Sequence, residues 1–263
     1  MDVLFFLLLG TGVGIFGTLV GIGGGLVIVP VSIFFLSEGG IYPYFHSAPQ
    51  IVGTSLFVVL TNALSGSIAY IRQKRVFLDA AIPFAIATLP GAFLGSYIAH
   101  GFDTRLLDLC FGCFQLAMAC LMYWNTRKKP PADVLVIDKD FRYNRTLGIL
   151  SSLGVGFFSS ILGVGGGIIH VPVMVYLLGF PVHIATATSQ FVLACSAAAG
   201  VVSHVLLSHV VWIPAICLGI GAMIGAQIGA RVSRKTKSKS ILTLLALAMF
   251  SVGVKLIVTS MGK

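Results

Sequence analysis

The chain has 263 residues, of which 57% are hydrophobic and 10% are charged, and its formal net charge is +9. Soluble globular proteins carry roughly 25% charged residues, so this composition excludes an ordinary soluble domain. The basic excess does not indicate nucleic-acid binding, because 14 of the 17 Lys and Arg residues lie in three short segments, 72–75, 127–145 and 231–239.

Long apolar segments account for most of the chain. In chain order they span residues 3–37, 51–71, 76–99, 106–124, 146–178, 184–207, 210–230 and 241–260. Uncharged apolar runs of about 18 residues or more are typical of membrane helices, so we expect a polytopic membrane protein. The first segment lacks a basic start and continues through glycines, which argues against a cleavable signal peptide. Basic clusters in short loops mark the cytoplasmic side, where we expect all three basic segments.

The first and fifth segments contain nearly the same sequence. GIGGGLVIVP runs from Gly21 to Pro30, and GVGGGIIHVP runs from Gly163 to Pro172, 142 positions later. Downstream the offset falls to 134, and the matched pairs include Thr54 with Thr188, Ser55 with Ser189, Asn62 with Ser196 and Gly91 with Gly225. The chain therefore contains an internal repeat, a frequent feature of transporters.

The loop charges indicate that the two halves are inverted. The basic segment 72–75 matches 206–209, which has no Lys or Arg, and the basic segment 231–239 matches the nearly neutral loop at 100–105. Equivalent loops thus carry opposite signals for membrane side. Inversion needs an odd number of crossings in each half, which the two longest segments supply if each turns back as a hairpin at its glycine triplet.

The predicted fold is therefore an all-α polytopic membrane protein with two inverted-topology repeats of about five helical segments each. The N-terminal repeat covers 1–126 and the C-terminal repeat covers 146–263, joined by a cytoplasmic linker at 127–145. We expect the N-terminus outside, in a multi-pass protein of the cytoplasmic membrane. Gly-rich broken or hairpin helices are expected at the first glycine turn (residues 21–25) and the second glycine turn (residues 163–167).

The two glycine turns are the first candidates for substrate binding. Irregular backbone inside a bilayer persists only where it is enclosed by protein or lines a watery cavity. A helix that begins after such a turn directs backbone N–H groups and a partial positive charge toward an anion. The candidate residues are Gly23, Gly24, Gly25, Gly165, Gly166 and Gly167, and the two turns could meet near the midplane.

The proline of each motif, Pro30 and Pro172, is expected to be structural and to lie near the first turn of the following helix. Small residues also allow helices to pack closely in membranes. That alternative stays open for both triplets, and it is the expectation for Gly91-x-x-x-Gly95 and Gly225-x-x-x-Gly229.

Polar residues within the apolar segments are the second set of candidates for substrate binding. They are Thr54, Ser55, Asn62, Thr188, Ser189 and Gln190, and Ser196 is a further polar residue of the same segment as Ser189. Interhelical hydrogen bonding is the alternative for all of them. His170 and His204 are candidates for proton coupling, because histidine titrates near neutral pH. His183 and His209 are expected to lie in loops.

The middle of each apolar segment lacks Asp, Glu and Arg, so the substrate is expected to be anionic or neutral. The chain contains no HExxH, GxSxG or Walker motif, so we expect no enzyme activity, no cofactor and no metal. Cys110 and Cys113 are expected to pack among apolar residues. The expected partners are a small anion and the lipid bilayer, without nucleic acid, and a homodimer is left open. Two alternatives remain: a channel or carrier for another small solute, and a membrane-embedded enzyme or assembly factor that uses His170 and His204.

The doubled GxGGGxxxxP motif, GTSLF at 53–57 and the eight apolar segments resemble the TauE/SafE sulfite exporter family along essentially the whole chain. The second half has ATSQF at 187–191 where the first has GTSLF. The resemblance implies a bacterial-type permease of the cytoplasmic membrane, with sulfite and organosulfonates such as sulfoacetate as family substrates. We therefore expect a secondary transporter that exports small sulfur-containing anions and works by alternating access.

Overall fold

The computed structural model describes residues 2–25, 27–29, 44–45, 48–99, 104–128, 133–135, 141–162 and 166–261. This part of the chain is mainly helical. The helices are α1 Asp2–Val20, α2 Ala48–Arg72, α3 Leu78–Ala99, α4 Thr104–Lys128, α5 Arg145–Leu162, α6 Gly167–Pro172, α7 Val182–Leu206, α8 Trp212–Lys235 and α9 Ser238–Met261. A π-helical turn, Val173–Leu177, continues α6. Pro30 and Gly165, two of the predicted site residues, lie outside the described residues.

Five helices in the described ranges are long and apolar enough to cross a membrane. They are Val3–Val20, Pro49–Arg72, Val182–Leu206, Trp212–Lys235 and Ser238–Val258. Large apolar side chains such as Leu8, Leu247 and Leu206 are 65%, 59% and 80% exposed, as expected of surfaces that face lipid. The prediction of an all-α polytopic membrane protein is confirmed.

The first glycine turn reverses the chain directly after α1. The φ angles of Gly21, Gly23 and Gly24 are +82°, +74° and +81°, a region that side chains with a Cβ rarely adopt. The N–H groups of Gly21 and Ile22 each donate to the Gly17 carbonyl at 2.9 Å. Gly25 and residues 27–29 are helical again, so the predicted hairpin turn lies at the glycine triplet.

The second hairpin breaks at the equivalent place. Helix α5 ends at Leu162, Gly166 lies in a turn, and α6 begins at Gly167. The expected position of Pro172 in the first turn is wrong, because it is the last residue of α6. Proline offers no N–H to the preceding turn and its ring crowds the carbonyl four residues earlier. The backbone then widens into the π-helical turn Val173–Leu177.

Close helix packing follows the internal repeat. A Cβ on Gly14 of α1 would collide with the Ala222 carbonyl of α8, and one on Gly156 of α5 would collide with the Thr88 carbonyl of α3. Gly156 matches Gly14 at the offset of 142, and Ala222 matches Thr88 at the offset of 134. The first helix of each half thus packs on the third long helix of the other half, backbone against backbone.

Gly91 and Gly225, which were expected to pack closely, also lie where a helix of one half packs on a helix of the other half. A Cβ on Gly225 would collide with the Thr11 carbonyl, and one on Gly91 would collide with the Leu153 carbonyl. These contacts are also equivalent under the repeat, and they confirm the packing expectation for Gly91 and Gly225. The inverted orientation of the two halves stays a prediction.

Candidate functional site

The two glycine turns touch each other. A Cβ on Gly167 would lie 2.7 Å from the Gly21 carbonyl oxygen and 2.8 Å from the Ile22 Cα atom. The Ser189 hydroxyl of α7 donates to that same Gly21 oxygen at 3.2 Å. Two turns 142 residues apart in sequence therefore form one junction against α7, and only a glycine at position 167 allows this distance.

A cavity of about 720 Å³ extends from this junction along α7. Gly166 and Gly167 of the second glycine turn form part of its wall. Its polar lining consists of Thr88, His170, Ser189, Ser196, Ser203 and His204. No Asp, Glu, Lys or Arg occurs among the described lining residues, so this part of the wall is uncharged apart from any proton on the two histidines.

Three of the lining serines form a row along α7. Ser189, Ser196 and Ser203 are seven residues apart, so they share one face of the helix. The Ser196 hydroxyl donates to the Leu193 carbonyl at 3.1 Å, and the Ser203 hydroxyl donates to the Ala199 carbonyl at 3.4 Å. Each oxygen keeps its lone pairs, and each proton can rotate toward a solute, so the row suits a polar solute in an otherwise apolar cavity.

The first glycine turn lies behind the cavity wall. Gly23, Gly24 and Gly25 are buried and are not among the lining residues. A Cβ on Gly23 would meet the side chains of Leu193 and Val59, and one on Gly24 would meet Val13. The second glycine turn thus faces the cavity. The first glycine turn lies behind it and packs against side chains of α1, α2 and α7.

Asn62 and Gln190 form a buried hydrogen-bond network. The Asn62 Oδ1 atom accepts from the Thr18 hydroxyl at 3.0 Å and from Gln190 Nε2 at 2.8 Å. Asn62 Nδ2 donates to the Gly14 carbonyl at 3.1 Å and to the Ala222 carbonyl at 3.4 Å. This network joins α1, α2, α7 and α8, so both residues make the interhelical hydrogen bonds that the sequence left open as an alternative.

Asn62→Leu should lower the free energy of unfolding by about 1–3 kcal/mol, because it leaves several buried polar groups without partners. Chemical unfolding in detergent measures the change. The control is Thr61→Val, which removes a hydroxyl bonded only to the Val58 carbonyl of its own helix at 2.9 Å. Equal stability of the two variants would contradict a central role for the Asn62 network.

The remaining polar candidates on α2 and α7 hold loops or lie in the core. The Thr54 hydroxyl accepts from the Val211 N–H at 3.0 Å, and the Thr188 hydroxyl accepts from the Phe77 N–H at 3.2 Å. These two bonds are equivalent under the repeat, and each anchors the start of a helix in one half to the other half. Ser55 is buried on α2 and does not line the cavity.

The two histidines proposed for proton coupling both line the cavity. His170 is 2% exposed, and its Nε2 atom lies 3.1 Å from the Ser152 hydroxyl. His204 lies at the far end of the serine row, with its Nδ1 atom 3.3 Å from Nδ1 of His209 in the following loop. One of these two Nδ1 atoms carries a proton and the other accepts it, so the pair is set up to share a proton.

The loop assignment of His183 is wrong. His183 lies in the first turn of α7 and is 1% exposed. Its Nδ1 atom lies 3.0 Å from Nη2 of Arg75, a residue that the sequence placed only in a basic loop. Arg75 itself is 2% exposed. Tertiary packing buries both residues, and their local sequence gives no sign of it.

Sequence reasoning underweighted the cavity face of α7. The sequence prediction includes Ser196 as a polar residue of this segment and as the repeat partner of Asn62, but it includes neither Ser203 nor Thr88. The seven-residue recurrence of serine at 189, 196 and 203 was the available signal. Within the described ranges, no three His, Cys, Asp or Glu side chains come close enough to hold a metal ion.

Comparison with known proteins gives a family match along almost the entire chain. Residues 6–256 match the family described as "Sulfite exporter TauE/SafE". The chain is 33% identical to the probable membrane transporter protein YunE of Bacillus subtilis, over 98% of both chains. It is 31% identical to the probable membrane transporter protein MJ0441 of Methanocaldococcus jannaschii, over 73% of this chain and 68% of that protein. No solved structure matches the chain significantly.

Proposed function

Because this chain belongs to the TauE/SafE sulfite exporter family and is a membrane transporter of that type, we propose that it exports small sulfur-containing anions such as sulfite or organosulfonates. The family and the names of the relatives indicate a transporter rather than an enzyme. The observation that carries the proposal is the cavity that begins where the two glycine turns meet. We place the protein in the cytoplasmic membrane.

The cavity chemistry favours an anion over a cation. A cation would need a carboxylate in the wall, and none occurs among the described lining residues. Serine hydroxyls, histidine N–H groups and the backbone at Gly166 and Gly167 can all donate hydrogen bonds to an oxyanion. In this proposal Ser189 contacts substrate, as predicted from sequence, and Ser196 and Ser203 join it along α7.

The other sequence candidates take supporting roles in this proposal. Gly23, Gly24, Gly25, Asn62 and Gln190 position the junction, and Thr54 and Thr188 hold the helices that surround it. Ser55 lies buried on α2. Gly165 directly precedes Gly166 in the sequence and stays a predicted substrate-binding residue. His170 and His204 are the residues that would take up or release a proton if export is coupled to protons.

Alternating access is the proposed mechanism. The described cavity runs from the glycine junction toward Ser203 and His204, at one end of α7. At the other end, the first turn of α7 is packed closed around His183. If the end at Ser203 closed while the end at His183 opened, a solute bound at the junction would be carried across the membrane.

Substrate binding can be tested without any assumption about transport direction. We expect purified protein in detergent to gain thermal stability with sulfite or sulfoacetate, because a ligand that binds only the folded state stabilises it. Sulfate and thiosulfate test selectivity among oxyanions, and potassium chloride at equal ionic strength is the control. No shift with any sulfur oxyanion, together with a shift for an organic cation or a neutral solute, would overturn the proposal.

A further inference from the structure

Arg75 is a buried cation held by uncharged groups. It follows α2 directly and is 2% exposed. Its Nη2 atom donates to the His183 carbonyl at 3.2 Å and to the Ser233 hydroxyl at 3.1 Å, and Nη1 donates to Gln73 Oε1 at 3.2 Å. The guanidinium carbon also lies 4.8 Å from the centre of the Tyr70 ring.

The bond between Arg75 and the His183 ring assigns the protons of that ring. Nη2 also lies 3.0 Å from His183 Nδ1, so its two protons are shared among three acceptors. A guanidinium can only donate, so Nδ1 accepts. The ring proton is therefore on Nε2, which lies 3.8 Å from Oδ1 of Asp133 in the linker. Asp133 is 54% exposed and also accepts from the Ser238 N–H, which lowers the pKa of its carboxyl. Asp133 thus reaches Arg75 through His183.

The charge of Arg75 is not neutralised by direct contact. Among the described residues no carboxylate bonds to it, and its Nε atom is buried without a hydrogen-bond partner. Burial of a cation without a counter-ion costs free energy, and an anion that bound to Arg75 would offset that cost. The planar guanidinium binds oxyanions in a bidentate manner, which hydroxyl and carbonyl acceptors do not match.

Arg75 lies at the end of α7 that the cavity does not reach. The cluster of Arg75, His183, Ser233 and Asp133 joins all three basic segments at the end of α7 opposite to Ser203 and His204. The repeat-equivalent position of Arg75 is His209, which lies at that opposite end. Arginine therefore occurs at the closed end only, and this is the end that the basic loops assign to the cytoplasm.

We propose that the Arg75 cluster is the inner gate of the transport path, closed in this conformation, and that its opening presents the guanidinium to the anion that enters from the linker side. This rests on the proposed transport function. An incoming oxyanion offers Arg75 a charged, bidentate partner in place of the His183 carbonyl and the Ser233 hydroxyl. Binding of the anion and release of the gate are then the same event, which restricts opening to anionic solutes.

The gate is tested by the access of a reagent to the cavity from the linker side. The reporter is Ser196→Cys in a chain whose native cysteines are replaced by serine, labelled with a membrane-impermeant maleimide in inside-out vesicles. Arg75→Gln should raise the labelling rate about tenfold or more, because it removes the charge-assisted hydrogen bonds from the guanidinium to His183 and Ser233. Ser233→Ala removes one acceptor, keeps the cation and should give a smaller rise in the same direction.

Arg72→Gln is the matched control, because Arg72 is an exposed arginine of the same basic segment. Equal labelling of Arg75→Gln and Arg72→Gln, with Ser233→Ala also unchanged, would overturn the gate. Sulfoacetate, which unlike sulfite does not add to a maleimide, should raise the labelling rate of the Ser196→Cys reporter with Arg75 intact and should not change it in the Arg75→Gln background. Arg75→Gln could label faster although the parent protein transports no anion in a flux assay. That result would support the gate and overturn the proposed substrate class.

Discussion

Gly167→Val should abolish transport while the protein remains folded in the membrane. The new side chain would have to occupy space 2.7 Å from the Gly21 carbonyl oxygen and 2.8 Å from the Ile22 Cα atom, and both of these are backbone atoms that cannot rotate away. The two glycine turns must therefore separate by an ångström or more. Displacement of that order in a binding site costs about a hundredfold in turnover, which is the loss of flux we expect.

Gly12→Val is the control for this prediction. Gly12 lies on α1, and a Cβ there would meet nothing within 4 Å. It receives the same side chain, so it reports any general effect of valine in a membrane helix. Flux into proteoliposomes measures both variants, and size-exclusion chromatography in detergent checks that they fold. Wild-type flux in Gly167→Val would show that the contact between the glycine turns has no part in transport.

Gly225→Leu and Gly91→Leu should both destabilise the fold strongly, and by similar amounts. A Cβ at either glycine would collide with a backbone carbonyl of the neighbouring helix, that of Thr11 or that of Leu153. Overpacking of a core costs about 1–3 kcal/mol even where side chains can yield, and here only whole helices can move apart. We therefore expect each variant to lose about 3 kcal/mol or more of unfolding free energy.

The matched control for these two variants is Gly154→Leu. Gly154 is adjacent to Leu153 on α5, yet a Cβ on it would meet nothing within 4 Å. Thermal unfolding in detergent should leave Gly154→Leu close to the parent protein while both other variants melt at lower temperature or fail to assemble. A large loss for only one of Gly91→Leu and Gly225→Leu would show that the two repeat-equivalent interfaces are not equivalent in energy.

The helices and their breaks could be predicted because they depend on local properties. Long uncharged runs give membrane helices, and a glycine triplet inside such a run gives a turn, as Gly21, Gly23 and Gly24 show by their positive φ angles. The duplicated motif also predicted two equivalent halves. The pairing of α1 with α8 and of α3 with α5 could not be derived, since Gly14 and Gly156 do not indicate which helix they will contact.

The site was predicted in part, and the difference lies in which way each side chain points. The second glycine turn and Ser189 line the cavity, whereas Asn62 and Gln190 turn into a buried network. Both arrangements give polar residues in apolar helices, and a single sequence cannot separate them. The burial of Arg75 depends on His183 and Ser233, which are 108 and 158 residues away in the chain, so no local pattern could reveal it.

The central claim is that an anion crosses the membrane through the cavity beside the two glycine turns. The most direct test is the flux of radiolabelled sulfite into proteoliposomes at imposed membrane potentials, for the parent protein, Ser196→Trp and Ser251→Trp. Ser196 lines the cavity, whereas Ser251 is an exposed serine of α9 with the same kind of bond to its own helix. We predict saturable flux, faster toward the positive side, in the parent and in Ser251→Trp, and none in Ser196→Trp. Undiminished flux in Ser196→Trp would contradict the claim.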